Sequence, residues 1–139
     1  MSLTLEDCRK IIASAQAEAE KLGKPMTVCI VDAGGYALSM ERMTGARALQ
    51  PSIATAKAYT AAVMQRPTRM LKWWAENDVA LFSQVARMGH QPVVACDGGV
   101  PVKRDGEIIG GIGVSGGSGE EDESVAVIAL KTAGYEIDF

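Results

Sequence analysis

Helical and strand-like patterns of apolar residues alternate along the chain. Near the start, Thr4 and Asp7 have the T-x-x-D spacing of a capping box, and Gly23 follows as a typical helix stop. Between them, apolar residues recur every three or four positions, which is the period of a helix with one buried face. They are Leu5, Cys8, Ile11, Ile12, Ala15, Ala19 and Leu22. This pattern predicts a first helix over residues 5–22.

A β-hairpin is predicted directly after this helix. The stretch MTVCIVDAGGYALSMER contains two runs of β-branched and apolar residues, at 26–32 and 36–42. The turn signal AGG at 33–35 separates the two runs, and a connection this short joins antiparallel strands. We therefore expect two neighbouring strands that belong to an antiparallel sheet.

The middle of the chain returns to a helical pattern. The Ala-rich stretch LQPSIATAKAYTAAVM, residues 49–64, predicts a second helix. Pro67 allows a new start, after which TRMLKWWAEN and VALFSQVARMG form two short amphipathic segments that break near Asn77 and Asp78. Because adjacent side chains on a helix point about 100° apart, one of the two neighbouring tryptophans is expected to face the core and the other a partner chain.

Three further strands and a last helix are predicted for the C-terminal third. The runs VVACDG, GVPVKRDG and EIIGGIGVSG are divided by D-G turn signals at 97–98 and 105–106. A final helix is predicted over 119–134. The whole chain, residues 1–139, is thus interpreted as one α/β (α+β) domain with an antiparallel sheet of about five strands flanked by helices.

Composition and charge narrow the class of protein. Of the 139 residues, 47% are hydrophobic and 22% are charged, which is typical of a soluble globular domain. The net charge of -3, with scattered Lys and Arg, gives no basic surface for nucleic acid. No apolar run approaches the roughly 18 residues of a membrane span, and the first residues lack the pattern of a signal peptide. We therefore expect a cytoplasmic protein that binds neither nucleic acid nor membrane.

A G-x-G-x-x-G sequence at Gly111, Gly113 and Gly116 raises the question of a nucleotide site. The dinucleotide fingerprint requires a βαβ unit, but too few residues follow Gly116 to supply a second strand after the last helix. Four consecutive acids at 120–123 would repel a phosphate at the start of that helix, and the S-x-x-E pattern at 118–121 caps it internally. We therefore exclude a nucleotide loop and expect the strand glycines to mark close packing against another backbone.

Three sequence blocks resemble one known family. They are VDAGGYALSMERMTGA at 31–46, SIATAKAYTAAV with a following PT at 52–68, and DGGVPVKRDGEIIGGIGVSGGSGEEDESVA at 97–126. On these blocks the chain is similar to the GlcG/HbpS-like heme-binding proteins, which also form the C-terminal domain of PduO-type proteins. The resemblance implies an α/β sandwich with an antiparallel sheet, assembly into homo-oligomers, and heme or another tetrapyrrole as the leading ligand.

The single histidine of the chain, His90, is a candidate iron ligand. In relatives of the PduO type, heme ligation looks tied to a histidine on the N-terminal helix, and the first predicted helix of this chain has none. An axial role for the imidazole of His90 would fit heme chemistry. In a loop at neutral pH the same side chain is also suited to transfer a proton, or has no chemical role.

Charged residues supply the remaining candidates. Lys57 lies on the Ala-rich helix, and three roles are open for it. It projects into a pocket and binds a carboxylate, it forms an ion pair with Asp122 or Glu123, or it is only solvated. Arg42 and Arg47 flank the loop MTGA and are placed to clamp the carboxylate of a small acid or heme propionates, unless they are only solvated. The two acids are candidates for ligand or metal binding, or for helix capping.

Two function classes follow from these residues. The first is a cytoplasmic, homo-oligomeric protein that binds a small ligand, with heme or another tetrapyrrole as the leading ligand. The second is a small catabolic enzyme, an isomerase, hydratase or hydrolase of a carboxylated metabolite, in which Arg42 or Arg47 holds the acid. Its proton would be moved by Lys57, His90 or Glu123. No pattern of nucleophile and base identifies a reaction, and a scaffold protein with a degenerate pocket is a third class.

Overall fold

The computed structural model describes residues 2–139 of the chain. These residues form five α-helices and four β-strands, with a short 3₁₀ helix (Thr68–Leu71). The predicted first helix, hairpin, second helix and broken helical insertion are confirmed. No helix within residues 2–139 has both the length and the apolar character needed to cross a lipid bilayer. In chain order the elements are α1 (Leu5–Leu22), β1 (Thr27–Asp32), β2 (Ala37–Arg42), α2 (Gln50–Met64), α3 (Lys72–Asn77), α4 (Val79–Val85), β3 (Gly99–Arg104), β4 (Glu107–Ser115) and α5 (Gly119–Thr132).

The four strands form one antiparallel sheet in the order β2-β1-β4-β3. Its two middle strands are distant in sequence: Cys29 of β1 lies opposite Gly113 of β4, and on its other side opposite Met40 of β2. All of β1 except its last residue is buried, because this strand has a neighbour on each edge and helices on both faces. The predicted α+β architecture with an antiparallel sheet is confirmed.

Helices cover the sheet on both faces and bury its alternating side chains. Val28 and Ile30 of β1 belong to a core shared with α1 and α5, whereas Cys29 and Val31 pack against α2. The same alternation places Ile112 of β4 on the side of α1 and α5. Because successive strand residues point to opposite faces, the domain has three layers, with the sheet between α2 and the α1–α5 pair.

Glycines let α2 pack directly on the sheet. A Cβ atom at Gly113 of β4 would overlap the carbonyl oxygen of Ala54, and one at Gly111 would overlap that of Ala58. Any larger residue at either position would force the helix away from the strand. The predicted close packing of backbones is thus confirmed, and the G-x-G-x-x-G sequence belongs to a strand and the turn after it.

Both predicted capping patterns are formed. The Thr4 side chain accepts from the Asp7 N–H while the Asp7 side chain accepts from the Thr4 N–H, and Ser118 and Glu121 repeat this arrangement at the start of α5. Helix α5 ends at Thr132, two residues short of the predicted end. The start of α5 is therefore capped by its own side chains.

The predicted strand at 93–98 is wrong. This segment is irregular and pairs with no strand, so the sheet has four strands and not about five. Its polar backbone groups bond to side chains of the helical layer instead: the Val94 N–H donates to Thr60 Oγ1, and Thr68 Oγ1 donates to the Cys96 carbonyl oxygen. Backbone groups that are satisfied in this way do not need a sheet edge, although the apolar side chains give a strand-like pattern.

Candidate functional site

A polar cleft lies at the N-terminal end of α2, between the loop that precedes this helix and the loop that follows β4. It consists of two adjoining hollows with volumes of about 490 and 270 Å³. Arg47, Gln50, Gly116 and Gly117 line both hollows and define what we call the α2 cleft. The position of Gln50 as the first residue of α2 brings the start of that helix to the cleft wall.

One positive charge in the α2 cleft is free. The guanidinium group of Arg47 is exposed and has no ion-pair or hydrogen-bond partner within residues 2–139. Lys24 also lines the cleft, but its Nζ forms a salt bridge with Glu121 Oε1. The hydrogen bond from Lys24 is the largest cause that lowers the pKa of Glu121 to about 2. Arg47 is therefore the cleft cation available to an external anion.

Gln50 presents a buried amide to the same space. Its side chain is part of a residue that is only 7% exposed, and Oε1 accepts a hydrogen bond from Thr27 Oγ1 at 3.3 Å. Its Nε2 has no partner within residues 2–139 and is not sealed off from solvent. The helix also starts without a side-chain cap, because the residue at the cap position is Leu49. The Gln50 amide thus offers N–H donors that lack a protein acceptor within the described residues.

The Glu121→Gln variant is expected to flatten the dependence of melting temperature on pH in acid. Because the pKa of Glu121 falls from 4.5 in the unfolded chain to about 2 in the fold, its contribution is present above pH 4.5 and is lost as pH falls toward 2. Melting curves recorded across this pH range check the prediction. Glu120→Gln, at an exposed position of the same helix turn, is the matched control, and equal pH profiles for the two variants would contradict the assignment.

Lys57 and Asp122 form a buried ion pair between α2 and α5. Lys57 Nζ lies 2.9 Å from Asp122 Oδ2 and 2.8 Å from the carbonyl oxygen of Val114, and both charged side chains are 5% exposed. The Gly117 N–H donates to Asp122 Oδ1 at 2.7 Å. Of the alternatives predicted for Lys57, the structure forms the ion pair with Asp122, and Lys57 lines neither hollow of the cleft.

His90 lies in an aromatic cluster near the other end of α2. Its ring stacks on Tyr36 with a centroid distance of 4.1 Å and meets Tyr59 edge-on at 4.7 Å. Nε2 lies 3.1 Å from the carbonyl oxygen of Gly34. An open hollow of about 230 Å³ adjoins His90 and is also lined by Arg87. The imidazole is thus exposed on the surface, with its orientation held by two rings and a carbonyl group.

Arg42 and Glu123 lie outside both of these places. Arg42 ends β2 opposite Thr27 of β1, is exposed, and lines none of the hollows described above. Glu123 Oε2 accepts a hydrogen bond from Arg69 Nε at 2.9 Å. Within residues 2–139, no group of three or more His, Cys, Asp or Glu side chains is arranged to hold a metal ion. At the start of α5, Asp122 and Glu123 form ion pairs and Glu121 takes part in the capping box.

Known proteins are similar to this chain in sequence and in fold. The family model of the haem degrading proteins, HbpS-like, matches residues 3–131. This chain belongs to the HbpS-like family. The predicted resemblance is therefore confirmed, and it extends over both faces of the sheet and the α2 cleft.

Relatives of this HbpS-like chain include two curated proteins and a solved complex. Corrinoid adenosyltransferase PduO of Citrobacter freundii is 34% identical over 130 residues, which are 94% of this chain but 38% of PduO. Protein GlcG of Escherichia coli K12 is 35% identical over 105 residues, 76% of this chain and 75% of GlcG. The crystal structure of the PduOC:heme complex has a TM-score of 0.90 and 31% identity, with both chains covered completely. The HbpS-like chain thus spans about two-fifths of PduO.

The predicted site residues of the HbpS-like chain fall into three separate places. Arg47 lies in the α2 cleft, Lys57 lies in the core, and His90 lies beside Tyr59. Gln50 and Tyr59 are nine residues apart on α2, so the cleft and the histidine cluster are separated by about 14 Å along the helix axis. Lys57 and His90 line neither hollow of the α2 cleft. The structure does not bring the predicted proton-transfer groups together with the predicted acid-binding group.

Sequence reasoning missed Gln50 as a site residue. A signal for it was present in the sequence, because the position before α2 is Leu49, where a residue such as Ser or Asp would cap the helix. An uncapped start exposes N–H groups to whatever acceptor is near. What the sequence did not show is that Thr27, 23 positions earlier, would hold the oxygen of the Gln50 amide and leave its nitrogen free.

Proposed function

We propose that this HbpS-like chain binds a small molecule and that heme or another tetrapyrrole is the leading ligand. The observation that carries the proposal is the likeness, over the full length of both chains, to the heme complex of PduOC. The matching family model is that of haem degrading proteins. The same ligand is therefore connected with this fold in two independent comparisons.

The residues around His90 fit the requirements of a heme site. With Nε2 next to the Gly34 carbonyl oxygen, Nδ1 is the ring nitrogen that has no partner within residues 2–139. Histidines that ligate a metal usually donate their other ring N–H to a carbonyl or carboxylate, which sets the tautomer. Arg87 lines the adjoining hollow and is a suitable partner for a propionate group. His90 would therefore hold the iron, and Arg87 a carboxylate.

The residues around His90 would hold the imidazole in a fixed orientation toward the iron and would take no part in a reaction. The face of the imidazole is covered by Tyr36 and its edge is met by Tyr59, which restricts rotation of the ring. The Gly34 carbonyl accepts the proton of Nε2 and makes the imidazole a stronger electron donor. A bound heme would supply a redox-active iron at this position. Tyr36 is 61% exposed, so the site is open at the protein surface.

A hemin titration followed by absorbance tests this proposal. We expect a saturable Soret band at one heme per chain in the wild type, and a tenfold or greater loss of affinity or a changed band position in His90→Ala, because the axial ligand is removed. Gln91→Ala is the matched control, since Gln91 lines the same hollow without an imidazole. A wild-type band that neither saturates nor differs from that of His90→Ala would overturn the assignment.

We further propose that the protein works in the cytoplasm as a homo-oligomer. Its three cysteines are free, with Cys8 and Cys29 buried, as is usual for proteins of a reducing compartment. Trp74 packs edge-on against Phe82 while Trp73 is 71% exposed, which supports the expected division between an inward and an outward tryptophan. A large exposed indole of this kind favours contact with a partner chain.

A further inference from the structure

We propose that the α2 cleft is a second binding site, which takes a small monocarboxylate, separate from the heme site proposed at His90. The cleft offers two kinds of donor to one anion, a guanidinium group and a buried amide, beside the start of a helix. No carboxylate of the described residues satisfies these donors. Arg47 and Gln50 lie in one short segment, and Thr27 of the distant strand β1 fixes the Gln50 amide, so the arrangement depends on the fold.

Arg47 gives the site its charge. It lies three residues before the start of α2, in the loop that leaves β2, and lines both hollows of the cleft. Its guanidinium has no acidic partner within residues 2–139, whereas other lysines and arginines form seven ion pairs across those residues. A planar guanidinium binds a carboxylate through two parallel N–H donors. Arg47 is therefore positioned as the principal anchor.

Gln50 contributes a largely buried side-chain amide to the wall of the cleft. The residue is 7% exposed, and Thr27 fixes its amide by donating to Oε1. Gln50 lines both hollows of the cleft, and its Nε2 has no partner within residues 2–139. The N–H donors of this amide are therefore available to an external carboxylate oxygen. The start of α2, which has no side-chain cap, adds a favourable electrostatic potential for an anion.

The charges around the α2 cleft favour a ligand with a single negative charge. Lys24 is paired with Glu121, so Arg47 contributes the one uncompensated positive charge of the cleft. The acidic first turn of α5 follows Gly117 closely in the chain and would repel a dianion such as phosphate. Pro25 lines one of the two hollows and Ile53 lines the other. The expected ligand is therefore a short-chain monocarboxylic acid whose apolar end contacts these residues.

A titration of the heme-free, ¹⁵N-labelled protein with sodium propionate at constant ionic strength tests the site. We expect saturable shifts of the Gln50 side-chain amide signals and of the Gly116 and Gly117 backbone amides. Arg47→Gln is expected to weaken propionate at least tenfold, because the charge-assisted hydrogen bonds are lost. Arg42→Gln removes another exposed arginine, which lines neither hollow, and is expected to leave the dissociation constant unchanged.

Several results would overturn the proposal. Shifts that do not saturate, or that are affected equally in Arg47→Gln and Arg42→Gln, would show that the cleft is no specific site. Inorganic phosphate binding as tightly as propionate would contradict the choice of a monocarboxylate. Loss of propionate binding in His90→Ala would show that the two sites are not separate. Failure of the hemin titration leaves these expectations unchanged, because no donor in the α2 cleft belongs to the His90 cluster.

Discussion

Replacing Lys57 by methionine is expected to lower the free energy of unfolding by about 3–5 kcal/mol, the cost of leaving a buried charge without its partner. Lys57 and Asp122 are both nearly inaccessible, and Lys57 also donates to the Val114 carbonyl oxygen. Methionine has a similar length but no charge, so the carboxylate and the carbonyl would both lose a donor. Urea unfolding curves of the variant and the wild type measure the difference.

Two further variants separate a buried charge from a general packing defect. The double variant Lys57→Met with Asp122→Asn removes both charges but keeps an acceptor for the Gly117 N–H, and is expected to recover most of the loss. Lys10→Met removes a lysine whose ion pair with Glu6 is largely exposed, and should change stability by less than about 1 kcal/mol. If Lys57→Met costs no more than Lys10→Met, the buried pair does not hold α2 to α5.

The loss in Lys57→Met is expected to shrink as the pH falls. Burial raises the pKa of Asp122 above 3.8, opposed by the hydrogen bonds from Lys57 and Gly117. A raised pKa means that the fold binds this proton more tightly than the unfolded chain does. Stability linked to Asp122 is then fully present below the unfolded pKa and is lost as pH rises through the folded one. Without Lys57 the pKa rises further, so unfolding curves of the two proteins should converge between pH 7 and pH 4.

Gly113→Ala is expected to destabilise the fold by about 3 kcal/mol or more, at the upper end of the cost of overpacking a core. A methyl group at this position would overlap the carbonyl oxygen of Ala54 in α2. Neither side can yield easily, since β4 is a middle strand of the sheet and the obstacle is backbone, not a flexible side chain. Urea unfolding measures the loss, and a shift of the Gln50 amide signals would report displacement of α2.

A glycine in an open turn provides the control for Gly113→Ala. At Gly34 an added Cβ would meet its nearest neighbour, the Tyr36 ring, at an ordinary contact distance of 3.4 Å. Gly34→Ala should therefore have little effect, or stabilise the fold by reducing the conformational freedom of the unfolded chain. Equal unfolding curves for Gly34→Ala and Gly113→Ala would show that α2 does not rest on the glycines of β4.

Local pattern predicted the elements of this fold well wherever one element decides its own structure. The capping residues Thr4 and Ser118 sit where the predicted helices begin, because a cap is made by side chains three residues apart. The strand predicted at 93–98 is wrong because residues outside this segment decide its structure. Its apolar residues are those of a strand, but its backbone partners are Thr60 and Thr68, which sequence pattern does not connect with it.

The candidate site was predictable only in its parts. Arg47 was named as a carboxylate ligand from its residue type and its loop, and the structure places it in a cleft. Lys57 was left between three alternatives, because an isolated charge on an Ala-rich helix does not reveal which element covers it. Gln50 was not considered, since the orientation of its amide is set by a hydrogen bond from Thr27 of a different element.

The order of residues along the chain is enough to predict the helices, the hairpin, the close approach of a backbone to Gly111 and Gly113, and membership of the HbpS-like family. These features depend on neighbours in the chain or on blocks of residues whose order is kept. The pairing of β1 with β4, the contact of Lys57 with Asp122, and the placement of Arg47 and His90 near opposite ends of α2 became known from the folded structure. Contacts between distant residues depend on how whole elements pack, and a single sequence carries no local record of that packing.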